Sequence, residues 1–418
     1  MDYRTKWPRP DYSRIPYELY HDPEIYEKEQ EHIFRGETWN FLGLEVEIPN
    51  HGDFRTSFIG DTPVVYNRGK DGEVHAFVNR CAHRGALVVR ENRGNAETHV
   101  CIYHRWCYDQ TGNLTGVPFR RGVQGKGGMD PSFDPAQHAL RKLRVETLSG
   151  VIFATFSDRT ESLTDYLGPQ HTEHLHRLFF KPIRVLGYQR QRIFGNWKLY
   201  AENLRDQYHG SLLHEFQVTF GITRVTQKGG AWLDPRHRHN ISYSEAGTDR
   251  NEEANSVYQE ARVDNDKLRL HDTRMLNYKP DRDDPVSISI ASVFPNACFQ
   301  QINNSLATRQ VRTRGKDCFD LYWTLFGYAD DDALKTEARM LQANMVGPAG
   351  LISMEDGEAI EIVHRATAPE RGTYAVLEMG GAGEFPEKID FKASDIPVRG
   401  FWSYYAELMG FAPEGAIR

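Results

Sequence analysis

The apolar positions of this chain change period along its length, and each change predicts a different kind of structure. Residues 1–22 are rich in Pro and Tyr and show no period. Residues 23–36 read as a helix, with Asp22 as its cap, Pro23 in the first turn, and Ile25, Ile33 and Phe34 forming a partial apolar face. From 38 to 157 the period drops to two. W-N-F-L-G-L-E-V-E-I, P-V-V-Y-N, E-V-H-A-F-V-N and H-V-C-I-Y read as short strands, R-G-K-D-G-E and D-Q-T-G-N as hairpin turns, and two more strands flank Ser149-Gly150. Beyond 158 the periods mix. Helix is expected from Ser162, over 199–216, 331–345 and 394–410. An extended run is expected over 183–198, strands over 284–328, and a polar surface excursion over 245–275. The fold class is therefore α+β: a small antiparallel β domain over 38–157, and an α+β domain over 158–418 whose antiparallel sheet is flanked by helices. Residues 1–37 form a helical segment expected to pack on that second domain.

Composition narrows the function classes. With 51 Lys and Arg against 58 Asp and Glu, the net charge of −7 leaves no basic footprint for nucleic acid or an anionic membrane. No apolar run nears the ~20 residues of a membrane span, and the opening M-D-Y-R-T-K-W-P-R-P lacks the apolar core of a signal peptide. A cytoplasmic protein is expected. Five cysteines are too few and odd in number for a disulfide scaffold, so a clustered pair is better spent on metal.

Such a pair exists. C-A-H-R-G-A at 81–86 and C-I-Y-H-R-W at 101–106 give C-x-H, 17 residues, then C-x-x-H. Two thiolates and two imidazoles on two hairpin tips can hold a [2Fe–2S] cluster, with Cys81 and Cys101 on one iron and His83 and His104 on the other. A structural zinc site is the alternative, but such sites open with C-x(2–4)-C, whereas each loop here carries one Cys and one His. Cys107, Cys298 and Cys318 read as buried thiols.

A second constellation lies at W-K-L-Y-A-E-N-L-R-D-Q-Y-H-G-S-L-L-H-E-F, where Asp206, His209 and His214 crowd together. Two imidazoles and a carboxylate are the donor set of non-heme iron(II) oxygenases. At ~100° per residue, Asp206 and His209 share a helix face, but His209 and His214 stand about 140° apart. They meet on one metal only if the helix breaks between them, for which Gly210 is well placed. The third ligand can then come from elsewhere. Among the other histidines, His171, His174 and His176 read as a solvated helix face, and His237 and His239 alternate on a strand that could border a pocket.

C-A-H-R-G-A and C-I-Y-H-R-W, followed by E-N-L-R-D-Q-Y-H-x4-H, resemble the large subunit of Rieske non-heme iron ring-hydroxylating oxygenases over essentially the whole chain. The resemblance implies a Rieske domain followed by a catalytic domain with a mononuclear Fe(II). It implies that the triad is completed by Asp356, in G-P-A-G-L-I-S-M-E-D-G-E, with Glu355 and Glu358 as its neighbours. Asp206 becomes a bridge between His209 and His104 of the partner subunit in a trimer, and Asn203 and Tyr208 stand around the site. Electrons are expected from NADH or NADPH through a reductase or ferredoxin, and a small β subunit is expected as partner. The implied reaction adds dioxygen to an aromatic ring as two hydroxyls.

Arg309 in S-L-A-T-R-Q and Arg399 in P-V-R-G-F-W match segments of oxygenases that act on aromatic carboxylates, and an arginine without an acidic neighbour suits a carboxylate ligand. The chain looks most like the subunits acting on anthranilate, salicylate and terephthalate, with G-V-P-F-R-R-G and L-G-Y-Q-R-Q-R-I leaning towards ortho-substituted benzoates. An anthranilate 1,2-dioxygenase or salicylate-type hydroxylase is the first expectation and terephthalate 1,2-dioxygenase the second. A Rieske monooxygenase or demethylase, or an electron carrier without oxygenase activity, are the readings from other classes.

Overall fold

Turn chemistry and alternation shape the first part of the chain. In R-G-K-D-G-E, Gly72 sits at φ +81°, a conformation costly for other residues, and the Asp71 carboxylate accepts the Glu73 N–H at 3.0 Å. The hairpin it closes pairs Thr62–Arg68 with Val74–Val78. The computed structural model describes residues 7–247, 252–261 and 268–416. Its two compact units are residues 34–163, and residues 1–33 together with 164–418.

The 34–163 unit holds a seven-stranded antiparallel sheet in the order Asn40–Leu44, Val151–Thr155, Lys142–Leu148, Val74–Val78, Thr62–Arg68, Asp53–Ile59, Arg93–Asn95. Beside it lies a three-stranded sheet of His99–Val100, Cys107–Tyr108 and Leu114–Gly116. The strand expected over H-V-C-I-Y stops at Val100, because Cys101 begins a tight loop. Phe54, Val65, Phe77, Tyr108 and Leu114 form a core that also encloses Cys81, Cys101 and Trp106.

The larger unit is built on an eight-stranded antiparallel sheet. Its order is Ile183–Ile193, Phe319–Tyr328, Ser305–Thr313, Ala297–Ile302, Val286–Val293, Asn240–Glu245, Gly229–Leu233, Lys388–Ile389. The four strands expected over 284–328 are present, and the extended run at 183 ends at Ile193. Helices Ala333–Val346 and Ile396–Met409 fall on the periodic stretches. Leu351–Thr367 is a further helix that periodicity did not announce, since exposed Leu351, Met354, Ile362 and Val363 blur its stripe. Its buried side carries Ile352, Asp356, Ile360 and His364 at intervals of four. Of the polar 245–275 stretch, residues 248–251 and 262–267 lie outside the described residues, and 252–260 is helical. No helix among the described residues is long and apolar enough to cross a membrane.

The 23–36 expectation is met by helix Pro23–Glu29, which widens to a π turn over Gln30–Phe34. The fully buried Glu29 carboxylate of this segment accepts from Lys198 Nζ, from Trp197 Nε1 at 2.7 Å and from Tyr405 OH at 2.6 Å. Removing one member of such a buried pair strands the other charge, so N-terminal, central and C-terminal segments are held as one.

Glu202, on the same central helix as Trp197 and Lys198, accepts at one oxygen from Tyr20 OH (2.6 Å) and Trp402 Nε1 (2.7 Å). Burial raises its pKa from 4.5 to about 7, against the opposing pull of these donors. The unfolded chain loses this proton at lower pH. The stabilisation is therefore complete below about pH 4.5 and is lost as pH rises through about 7. Glu202→Gln keeps the shared acceptor oxygen without the charge. In thermal melts it is expected to match the parent near pH 4.5 and to exceed it by roughly 3 kcal/mol at pH 8.

Candidate metal centres and cavity

Two loops of the smaller unit repeat one hydrogen-bond pattern. Cys81 N–H donates to Ala86 O (2.8 Å) and Gly85 N–H to Cys81 O (3.0 Å); Cys101 N–H donates to Trp106 O and Arg105 N–H to Cys101 O, both at 2.9 Å. The fifth residue of each loop is left-handed, Gly85 at φ +76° and Arg105 at φ +60°. These matched turns aim both thiols inward and both imidazoles outward. Cys81 and Cys101 are buried and adjacent, whereas the His83 and His104 rings lie 4.5 Å apart nearer the surface. Trp106 stacks on His83 at 4.8 Å, and Tyr108 OH stands 3.3 Å from Cys81 Sγ. Burial, then His104 and Arg84, lower the pKa of His83, favouring the neutral ring a metal requires. An inner thiolate pair and an outer imidazole pair could hold a two-iron cluster with chemically distinct irons. Cys107 and Cys318 are only half-buried, and Cys298 is fully buried.

In the larger unit the helix expected over 199–216 is much shorter. Capped by Asn196, it runs over Trp197–Asn203 and ends there. The Asp206 carboxylate then accepts from Tyr208 N (2.8 Å) and His209 N (3.2 Å), turning the chain into a single 3₁₀ turn at His209–Ser211. The break therefore precedes His209 and is made by Asp206; Gly210 keeps an ordinary φ. His214 is non-helical at φ −88°, ψ 68°, just before helix Glu215–Thr219.

Freed from helical spacing, both rings reach one point. Asp356 Oδ1 lies 3.3 Å from His209 Nε2 and 3.2 Å from His214 Nε2. All three donors sit within 4.8 Å of one another. Two donors at ~2.1 Å from one cation, at right angles, lie ~3 Å apart, so the set fits a cation with facial ligands and open positions. Behind each ring stands a carboxylate. Asp206 Oδ2 is 3.0 Å from His209 Nδ1, and Glu355 Oε2 is 2.7 Å from His214 Nδ1. Such partners fix the tautomer that presents Nε2. Asn203 Nδ2 donates to Asp356 Oδ1 at 2.9 Å. Burial works against both charges, yet Asp206 and Asp356 raise the His209 pKa to about 10, and the two imidazoles hold Asp356 well below the usual carboxylate range. The local field thus favours positive charge between the rings and the carboxylate. Glu358 is exposed, as is the Tyr208 side chain, which does not line the adjoining cavity.

A cavity adjoins this point. Its floor comes from sheet register: Ser244 lies opposite Ile288, which lies opposite Ile302, and Ser242 lies opposite Ile290. Arg309 lines it, 4% exposed, with its guanidinium on Tyr200 OH (3.1 Å) and the Gln300 side-chain oxygen, and over Trp323 at 4.2 Å. Its Nε has no partner. Lys392, also 4% exposed, lines the cavity too and was not singled out from sequence, because nothing in K-I-D-F-K-A-S marks a lysine that turns inward. Glu355 is expected from the sequence only as a neighbour of Asp356; two acids side by side on a helix are the available signal.

Several expectations are corrected. Arg399 does not line the cavity: it donates to the carbonyls of Gly381 (2.8 Å), Asp11 (3.1 Å) and Gly383 (3.3 Å), a buried strap between main-chain segments. His171 and His174 are buried, and burial lowers both pKa values to about 3; only His176 faces solvent. His237 occupies a turn at φ +60° against Phe385, and His239 is buried between Tyr166 O (2.9 Å) and Phe294 N (3.0 Å). Neither lines the cavity. His21, Asp317 and His364 also gather, with His21 Nε2 on Thr367 Oγ1 and His364 Nε2 on Asp317, which also pairs with Lys316.

Residues 38–126 match the Rieske [2Fe-2S] domain, and residues 169–410 match the ring hydroxylating alpha subunit (catalytic domain). The chain is 46% identical to the anthranilate 1,2-dioxygenase large subunit of Burkholderia cepacia over 97% of its own length and 95% of the relative's. It is 45% identical to terephthalate 1,2-dioxygenase, terminal oxygenase component subunit alpha 2, of Comamonas sp, over 97% of each. Its fold matches a crystal structure of naphthalene 1,2-dioxygenase from Rhodococcus sp. bound to indole with a TM-score of 0.77 at 23% identity, covering 95% of this chain and 94% of that one.

Glu355→Ala leaves the His214 ring free to turn. The variant is expected to lose metal affinity by ~10–100-fold, read as iron retained against a chelator, whereas Glu358→Ala keeps the parent's affinity. Tyr108→Phe removes the hydroxyl beside Cys81 and is expected to lower the cluster's midpoint potential in redox titration, since hydrogen bonds to sulfur favour the reduced state.

Proposed function

The chain belongs to the large subunits of Rieske-type aromatic ring-hydroxylating dioxygenases, an oxidoreductase family, and on that premise we propose that it is the terminal oxygenase for an aromatic carboxylate. In this reading Cys81, His83, Cys101 and His104 hold the [2Fe–2S] cluster, and His209, His214 and Asp356 hold the mononuclear Fe(II). Bound iron supplies the chemistry that activates dioxygen towards the ring. Asp206 and Glu355 accept the Nδ1 protons of His209 and His214, so that each ring offers Nε2. Ile288, Ile290 and Ile302 flank the ring and exclude water. Arg309 orients the carboxylate.

The observation that carries this reading is Arg309: a buried cation in the cavity beside the triad, held by neutral groups and with a spare N–H. Among the described residues no carboxylate lies within ion-pair distance of it. A buried unpaired charge is costly, and a planar carboxylate suits a guanidinium. Anthranilate or salicylate is the first substrate reading and terephthalate the second, in line with what three relatives are named for. Electrons come from NADH or NADPH through a reductase and, where present, a ferredoxin. A small β subunit completes the component, and in the trimer Asp206 links to His104 of the partner subunit.

NADH and oxygen consumption, assayed with a matched reductase and ferredoxin, tests this. Turnover is expected on 2-aminobenzoate, 2-hydroxybenzoate or benzene-1,4-dicarboxylate. Turnover confined to uncharged rings such as naphthalene overturns it. Arg309→Met is expected to raise KM for the carboxylate substrate by ~10–100-fold, the loss of a charge-assisted bond.

A further inference from the structure

Lys392 follows the edge strand Lys388–Ile389, whereas Arg309 lies on Ser305–Thr313, five positions away in the sheet. At ~4.8 Å per strand their backbones stand roughly 24 Å apart along the sheet. They therefore enter the cavity from opposite flanks, with Ile302, Ile288 and Ser244 on the floor between. Lys392 is as buried as Arg309 and as poorly compensated. Its ammonium has one acceptor, Arg224 O at 2.8 Å, and among the described residues no carboxylate lies within ion-pair distance. Space is kept for its stem: a Cβ on Gly229 would stand 2.8 Å from Lys392 Cε.

We propose that Lys392 is a second anion-binding group, opposite Arg309, and that the aromatic substrate carries two separated acidic substituents. The proposal rests on the aromatic-carboxylate reading and narrows it to diacids. An ammonium with three N–H donors and one internal acceptor has two left for a ligand. Burial alone lowers its pKa to about 7, the response of a cation that the protein itself leaves unpaired. An ortho-amino or ortho-hydroxy benzoate would satisfy Arg309 and leave the Lys392 amine without an anion, whereas a second acid holds it in its charged form. A ring with acids at distant positions satisfies both and lies across the isoleucine floor.

The test compares benzoate, 2-aminobenzoate, 2-hydroxybenzoate, benzene-1,3-dicarboxylate, benzene-1,4-dicarboxylate and 4-sulfobenzoate as ligands of the metal-loaded oxygenase, by titration calorimetry and by KM. The intact protein is expected to bind at least one diacid ~10–100-fold more tightly than every monoacid. Lys392→Met is expected to erase that preference while leaving benzoate within about threefold, and Lys392→Arg to keep it. Arg309→Met weakens both classes. The proposal falls if the intact protein binds monoacids as tightly as diacids, a result that leaves the carboxylate reading standing. It falls equally if Lys392→Met weakens mono- and diacids alike, the signature of a strap on Arg224. Turnover of neutral aromatics alone, with no acid bound, overturns both readings.

Discussion

One buried carboxylate organises the larger unit. Asp356 faces the Nε2 atoms of His209 and His214 at 3.2–3.3 Å, on the inner side of a helix whose other buried positions, His364 apart, are aliphatic or small. Such a charge is tolerable only where positive partners meet it. The chain supplies them from a segment some 150 residues earlier, held in place by its own network. Lys198 and Trp197 are anchored on Glu29, Asn203 donates to Asp356, and Asp206 turns the backbone so that His209 can point inward. The same negative field that raises the His209 pKa is what a divalent cation would occupy.

Around that point the sheet works as a ruler. Antiparallel register places Ser242 beside Ile290, and Ser244, Ile288 and Ile302 in one row, so a mostly apolar floor arises from alternate residues of three strands. Two cations break its apolar character from opposite sides. Each is held by neutral groups, Arg309 by Tyr200 and Gln300 and Lys392 by the Arg224 carbonyl. Positioning without neutralising leaves charge available to a ligand. Arg399 shows the contrast: three carbonyls hold its two terminal nitrogens away from the cavity, where it ties main-chain segments together.

The departures from expectation share a cause. Periodicity reports the face a side chain would present in a regular helix, so it fails where a polar side chain competes for the backbone. Asp206 captures two amide protons and ends the helix well before His214. His171 and His174 look solvated by composition, and His239 looks like a strand residue bordering a pocket, but all three are buried as neutral rings. Helix Leu351–Thr367 lacks a clear stripe because several of its aliphatic residues face outward.

Local spacing by itself determined the small β domain, the helices with clean periodicity, and the pairing of Cys81 with His83 and Cys101 with His104 in two loops. In each case the partners lie within a few residues and turn geometry alone brings them together. The crowding of Asp206, His209 and His214 was likewise plain, and the resemblance pointed to Asp356. Only the tertiary structure decided where the helix breaks, that Glu355 rather than Glu358 stands behind His214, and that Arg309 and Lys392 enter one cavity while Arg399 does not. Those are contacts between segments far apart in sequence. They are set by sheet register and buried charge, neither of which leaves a periodic trace along the chain.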